Sequence, residues 1–321
     1  MQIVLAPMEG VVDHLMRDML TRIGGFDLCI TEFVRVVDQR LPARVFRRLC
    51  PELEHGGKTP AGVPVRVQLL GQEPHWLAEN AAKAVQLGSP GIDLNFGCPA
   101  KTVNKSRGGA VLLKETEQLY QIVKAVRQAV PSEHPVSAKI RLGYDDTALT
   151  LDNASAIEAA GATVLTVHAR TKTDGYKPPA YWPWIGRIRQ RIAIPVIANG
   201  EIWTPAQAAQ CQHEANTQDI MLGRGALALP NLAKCIRSGQ QAMSWPEVLQ
   251  LLMRYSQYEV AGDKGKYYSN RIKQWFSYLK LQYPEAEALF RQLRVLKRND
   301  EILALLQHAE KTFTLSAKSL Q

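Results

Sequence analysis

Eight short β-type runs recur along the chain with helix-like segments between them, and this alternation constrains the fold more than any other feature. The runs lie at residues 3–7, 28–31, 65–70, 92–95, 136–141, 163–168, 194–198 and 219–222. Helix-like stretches include 74–86, 115–129, 149–160 and 205–212, and the pairs Leu87-Gly88 and Ala160-Gly161 end two of them as C-caps do. Repeated β-α units imply parallel strands joined by crossover helices. Eight such units are the number that closes a (β/α)8 TIM barrel. The competing doubly wound open sheet wants G-x-G-x-x-G after its first strand, and this chain has L-A-P-M-E-G there.

A barrel carries its functional groups at the C-terminal ends of its strands. Those ends hold Pro7-Met8-Glu9, Glu32, Gln68, Asn95 with Cys98, Lys139 with Arg141, His168 with Arg170, Asn199-Gly200-Glu201 and Gly223-Arg224. Lys139 and Arg141 are two apart on one run, so they share a face. In N-F-G-C-P, Pro99 fixes its own φ and biases Cys98 toward an extended backbone, placing a thiol just past a strand end. A structural cysteine more usually sits inside the strand. Lys101, Lys105 and Arg107 follow closely. The loops after strands seven and eight pair glycines with Arg224, which suits a phosphate-bearing ligand, although each turn alone is also an ordinary turn.

Net charge is +9 with a pI near 9.3, which permits a polyanionic partner. The five cysteines form no C-x-x-C and the seven histidines no H-x-x-x-H, so neither a disulfide framework nor a metal site is expected, and a reducing cytoplasm is the natural setting. The N-terminus lacks a signal-peptide pattern, and no apolar run approaches the roughly 20 residues that span a bilayer. Nothing in the sequence demands a second subunit, so a monomer is expected.

The β-type runs stop before a boundary at 242/243, giving a barrel domain over 1–242 and a smaller all-α helical-bundle domain over 243–321, with breaks at 262–265 and Pro284. From Lys264 to Arg298 there are nine Lys or Arg against two acids, interleaved with aromatics. Ser269 or Asn270 is a candidate N-cap, which would set Arg271 and Lys273 in a first helical turn against the dipole. Arg291, Arg294 and Arg298 at i, i+3 and i+7 would share one helical face. A solvated face over an aromatic core competes with a nucleic-acid surface. Ile272, Phe276 and Leu279 are core in either case.

The motifs L-A-P-M-E-G, V-Q-L-L-G, D-L-N-F-G-C-P, K-I-R, V-H-A-R-T, I-A-N-G-E and L-G-R-G-A form a set, in order, across nearly the whole chain. That set resembles the tRNA-dihydrouridine synthases. The resemblance implies an FMN-binding barrel, a helical tRNA-binding domain, and reduction of a D-loop uridine with NADPH as reductant. It implies Cys98 as proton donor to C5 while a hydride reaches C6. It further implies flavin contacts from Pro7, Met8, Glu9, Gln68, Lys139, His168, Asn199, Gly200, Glu201, Gly223 and Arg224, and uridine contacts from Asn95, Arg141 and Tyr176. The runs T-E-F-V-R-V, S-N-R-I-K-Q-W and Q-L-R-V-L resemble the bacterial subgroup that acts on uridine 16, which makes Arg35, Arg271, Lys273 and Arg294 determinants of tRNA orientation. Relatives often carry glycines where Lys105 and Arg107 stand; these cations would either contact phosphate or redirect the loop. From the residues alone, a reductase of a free pyrimidine or small enone, a non-enzymatic RNA binder and a Schiff-base barrel using Lys139 remain competitors.

Overall fold

The computed structural model describes residues 1–263 and 266–318, with the backbone alone at 258–263 and 313–318. Lys264 and Gly265, half of the expected break at 262–265, lie outside the described residues. The chain divides into two compact units, residues 1–17 with 26–223 and residues 18–25 with 224–321.

In the first unit, eight parallel strands close in sequential order into a barrel. They are β1 (Ile3–Leu5), β2 (Leu28–Arg35), β3 (Val65–Leu70), β4 (Ile92–Phe96), β5 (Val136–Arg141), β6 (Val164–His168), β7 (Val196–Asn199) and β8 (Ile220–Leu222). β3 and β5 match the sequence runs residue for residue. β2 continues to Arg35, past the run expected at 28–31, because its pairing with β3 shifts register between Ile30 and Phe33 and then resumes. The polar pair Thr31-Glu32 hides that continuation, and Thr31 Oγ1 caps the irregularity by accepting from the Gln68 N–H at 3.1 Å. The helix Pro205–Ala215 runs three residues beyond the expected 212 and ends at Asn216 in the left-handed conformation, φ 48°.

Side chains that alternate inward divide the barrel interior in two. Val4, Ala6, Leu28, Ile30, Ile197 and Met221 form an apolar cluster. Neighbouring strands β3, β4 and β5 bring polar groups into register instead: Gln68 beside Asp93, Asp93 beside Ser137, and Asn95 beside Lys139. Burial of the apolar half gains about 1.5–3 kcal/mol for each large side chain. The polar half has to satisfy its own hydrogen bonds to be tolerated, and that need shapes the site.

The second unit is all helical among the described residues. Its core is aromatic: the Trp245 ring lies 5.7 Å from that of Tyr283, and Tyr255 meets Trp275 edge-on at 5.1 Å. Trp275 Nε1 donates to Leu227 O and the Tyr283 hydroxyl to Met243 O. Ile272, Phe276 and Leu279 are fully buried. Two local expectations change. The helix Tyr268–Leu279 begins before Ser269 and has Tyr267 at its N-cap, because the Tyr267 carbonyl takes the N–H groups of Asn270 and Arg271. Arg271 and Lys273 thus lie further from the positive helix end. Arg291, Arg294 and Arg298 do not share a helical face. The helix Pro284–Leu293 stops with Arg294 as its C-cap, and Arg298 sits before the helix Asn299–Lys318, paired with Asp300. The acids Asp300 and Glu301 favour a new N-terminus there, which periodicity alone does not register.

Candidate active site

The C-terminal mouth of the barrel gathers most of the strand-end residues singled out in the sequence. Near the end of β4, the Asn95 side chain turns toward the loop that follows, and its Oδ1 accepts from the N–H groups of Gly97 (3.0 Å) and Cys98 (2.9 Å). Asn104 secures the far side, donating to Cys98 O at 2.9 Å and accepting from Val111 N at 2.8 Å. The thiol is therefore held by backbone bonds on both sides, half-buried at the mouth. Burial raises the Cys98 pKa, helped by Glu9 and opposed by Arg141 and Lys139. Burial wins over the cations, so the sulfur keeps its proton at neutral pH.

Lys139, one strand over, has its pKa lowered to about 8 by burial and by Arg141. Among the described residues its ammonium makes no hydrogen bond or ion pair, while Gln68, Asp93, Asn95, Ser137 and Arg141 each have side-chain partners. A part-buried cation without a partner marks a place for an anionic or electron-rich group. Glu9 is shifted upward by burial and by Glu32.

Gln68 has no exposed surface; its Nε2 donates to Asp93 Oδ2 and its Oε1 accepts from Asn95, each at 2.7 Å. Arg141 is 2% exposed, with its guanidinium donating to the carbonyls of Gly97, Thr171 and Gly175 at 2.9–3.0 Å. It ties the Cys98 loop to the loop after β6, where Tyr176 stacks on it at 5.2 Å and stands 53% exposed. The His168 ring is 5.9 Å from Tyr176. Gly200, at φ 117°, leaves room for His168, since a Cβ there would meet the imidazole Cδ2 at 2.8 Å. Asn199 donates to Met221 O, and the Glu201 carboxylate is held by Arg170 and by Trp203 Nε1. Pro7 and Met8 are part-exposed beside β1, and Gly223 approaches Ala6 and Met8 at the end of β8. Arg224 opens the helix Arg224–Ala228 of the second unit.

Arg35 closes β2 and donates to Ser106 in the Cys98 loop. Arg107 occupies a left-handed position, φ 56°, and pairs with both oxygens of Glu115 at 2.8 and 2.9 Å. That conformation accounts for glycine being a natural occupant there. In the second unit, Lys273 donates to Leu296 O, Arg271 lies over the Tyr267 ring at 5.7 Å, and Arg294 is exposed.

Sequence reasoning placed Arg170 at a strand end without giving it a role, and missed Asp93 and Ser137 as site-building residues. Asp93 and Ser137 stand two before Asn95 and Lys139, so strand periodicity was the available signal. Arg170 has no exposed surface and donates to Lys177 O and Pro179 O at 2.7 and 3.1 Å, organising the Tyr176 loop from below.

Fold and mouth together define a (β/α)8-barrel enzyme with a half-buried thiol and a part-buried ammonium at the C-terminal ends of its strands. The chain belongs to the dihydrouridine synthase family, whose model matches residues 4–316. The family's reaction is the reduction of uridine to dihydrouridine, and this chain is an oxidoreductase of that kind. It is similar to the tRNA-dihydrouridine(16) synthases of Shewanella oneidensis, 59% identical over 310 residues (97% of this chain, 98% of the relative), and of Escherichia coli K12, 54% identical over 308 residues (96% and 98%). Among solved structures, histamine dehydrogenase from Rhizobium sp. 4-9 shares the fold, with a TM-score of 0.56 at 12% identity over 80% of this chain and 48% of that one. Among the described residues, no helix is long and apolar enough to cross a membrane, and no cluster of His, Cys, Asp and Glu forms a metal site.

Proposed function

We propose that this chain reduces uridine 16 of tRNA to 5,6-dihydrouridine in the cytoplasm, with FMN as resident cofactor and NADPH as reductant. The observation that carries the reading is the protonated Cys98 thiol beside the unpartnered Lys139 ammonium. Flavin, when bound, supplies the hydride, which no side chain provides.

Lys139 suits the polar edge of an isoalloxazine and the negative charge of its reduced form, with Gln68 supporting it from beneath. Pro7, Met8, Glu9 and His168 line the ring. Asn199, Gly200, Glu201 and Gly223, followed in the chain by Arg224, suit a ribityl phosphate. Asn95, Arg141 and Tyr176 shape the pocket for an extruded uridine, with the exposed Tyr176 ring available for stacking. Cys98 gives its proton to C5, and solvent restores it. Arg35 on the first unit and Arg271, Lys273 and Arg294 on the second serve tRNA phosphates by charge.

The test is Cys98→Ala with mass-spectrometric mapping of dihydrouridine in tRNA from cells with and without the gene. The variant is expected to keep its flavin absorption and tRNA binding and to leave position 16 unreduced. Full reduction by the variant removes Cys98 as the acid. Loss of dihydrouridine at another D-loop position in the knockout keeps the chemistry and discards the roles given to Arg35, Arg271, Lys273 and Arg294.

A further inference from the structure

A chain of buried hydrogen bonds runs up the polar half of the barrel and ends on the turn that carries Cys98. Arg66 Nη1 donates to Ser137 Oγ at 3.0 Å, and Ser137 Oγ donates to Asp93 Oδ1 at 2.5 Å. Gln68 Nε2 donates to Asp93 Oδ2 at 2.7 Å, and Asn95 Nδ2 donates to Gln68 Oε1 at 2.7 Å. Asn95 Oδ1 then takes the N–H groups of Gly97 and Cys98 at 3.0 and 2.9 Å. Asp93 is 1% exposed and Gln68 fully buried, so water does not substitute for these partners.

The direction of this chain matters. A Gln–Asn amide pair is satisfied equally well in either of two senses, O-to-N or N-to-O. Burial raises the Asp93 pKa, while hydrogen bonds from Ser137 and Gln68 and the charges of Arg66 and Lys139 favour the ionised form; as a carboxylate it accepts only, and so compels Gln68 to present Nε2. Oε1 then faces Asn95, which is compelled to present Nδ2 to it and Oδ1 to the turn. In the opposite sense, Asn95 Nδ2 would face the N–H groups of Gly97 and Cys98, donor against donor, and the turn would lose its anchor.

We propose that Asp93 is a positioning residue for the reaction: through the amide sense of Gln68 and Asn95 it sets the backbone turn that aims the Cys98 thiol. The inference rests on Cys98 being the proton donor, and it assigns Asp93 no contact with substrate or cofactor.

The experiment is a double-mutant cycle on the full-length holoenzyme with Asp93→Asn, Asn95→Ala and the double variant. Asparagine keeps the shape of Asp93 and removes its obligatory acceptor character. Two readouts are followed: kcat and KM on tRNA, and the rate of iodoacetamide labelling at Cys98 by peptide mass spectrometry. Cys29, Cys50, Cys211 and Cys235 are buried, and Cys29 labelling reports global opening. Asp93→Asn is expected to lower kcat about 10- to 100-fold with KM little changed, the scale of a misplaced reacting group. Cys98 labelling should accelerate severalfold while Cys29 stays slow, and the double variant should go no further than Asn95→Ala alone. Additive effects, or Cys98 and Cys29 labelling rising together, would make Asp93 a merely structural residue and overturn the proposal. A Cys98→Ser control separates the two failures: dihydrouridine formation retained there sinks the acid assignment, whereas the labelling cycle still decides the relay.

Discussion

Lys139 is expected to weaken the protein that it equips. Its pKa falls from 10.5 to about 8 through burial and the neighbouring Arg141 charge. A lysine shifted downward on folding costs stability wherever both states are protonated, which is below pH 8. The cost is relieved as pH rises from the folded value to the unfolded one, where only the unfolded chain still holds the proton. A 2.5-unit shift corresponds to about 3 kcal/mol at pH 7 and about 1.5 kcal/mol at pH 9.5. The side chain is part-exposed, so solvent screening reduces the pH 7 figure to about 2 kcal/mol. Lys139→Met removes the charge and keeps the length. Flavin-free variant and wild type would be compared by urea unfolding at both pH values, because bound flavin would add its own linkage. The variant should be the more stable at pH 7, the gap should shrink by about half at pH 9.5, and flavin retention should drop. A variant equally or less stable at pH 7, at matched m-values, would refute an uncompensated buried charge at this position.

Other outcomes follow from the same geometry. Arg17 has no exposed surface and holds Glu52 through two bonds of 2.8 and 2.9 Å, so Arg17→Met should cost about 3–5 kcal/mol in urea unfolding. Burial pushes the Glu52 carboxyl up, but Arg17 outweighs it and holds the group below its usual value. The stability from that pair is therefore present above the unfolded carboxylate pKa and should be lost as pH falls through the folded one. Arg107→Gly relieves a left-handed backbone worth about 1–2 kcal/mol and gives up an exposed ion pair worth about 0–1 kcal/mol. Its unfolding midpoint should hold or rise slightly while amide exchange in residues 101–109 quickens; a large loss of stability would contradict this. Affinity for tRNA should fall steeply with added salt, and the exposed Arg291, changed to Ala, should weaken binding modestly with flavin content unchanged. Loss of flavin in that variant would contradict a role confined to tRNA.

What the sequence determined by itself is local and periodic. Eight β-type runs, their polar ends and the order of motifs around Cys98, Lys139 and His168 are written in stretches of a few residues, because strand formation and strand-end chemistry depend on near neighbours. β3 and β5 were legible to the residue for that reason. What only the tertiary structure decided depends on barrel closure and register. Asp93, Gln68 and Ser137 come from three strands and become partners only when those strands pair. The sequence implied a protonated Cys98 although nearby cations favour thiolate, and it could not show what holds the proton; burial, a property of the closed mouth, raises the thiol pKa. The same holds for Arg298, whose spacing fits a shared face with Arg291 until a turn at Leu296 and the acidic start of the next helix end the run. Sequence spacing reports what one element repeats, and it is silent about the low-dielectric contacts that other elements bring, which set hydrogen-bond sense, pKa and the point where a helix stops.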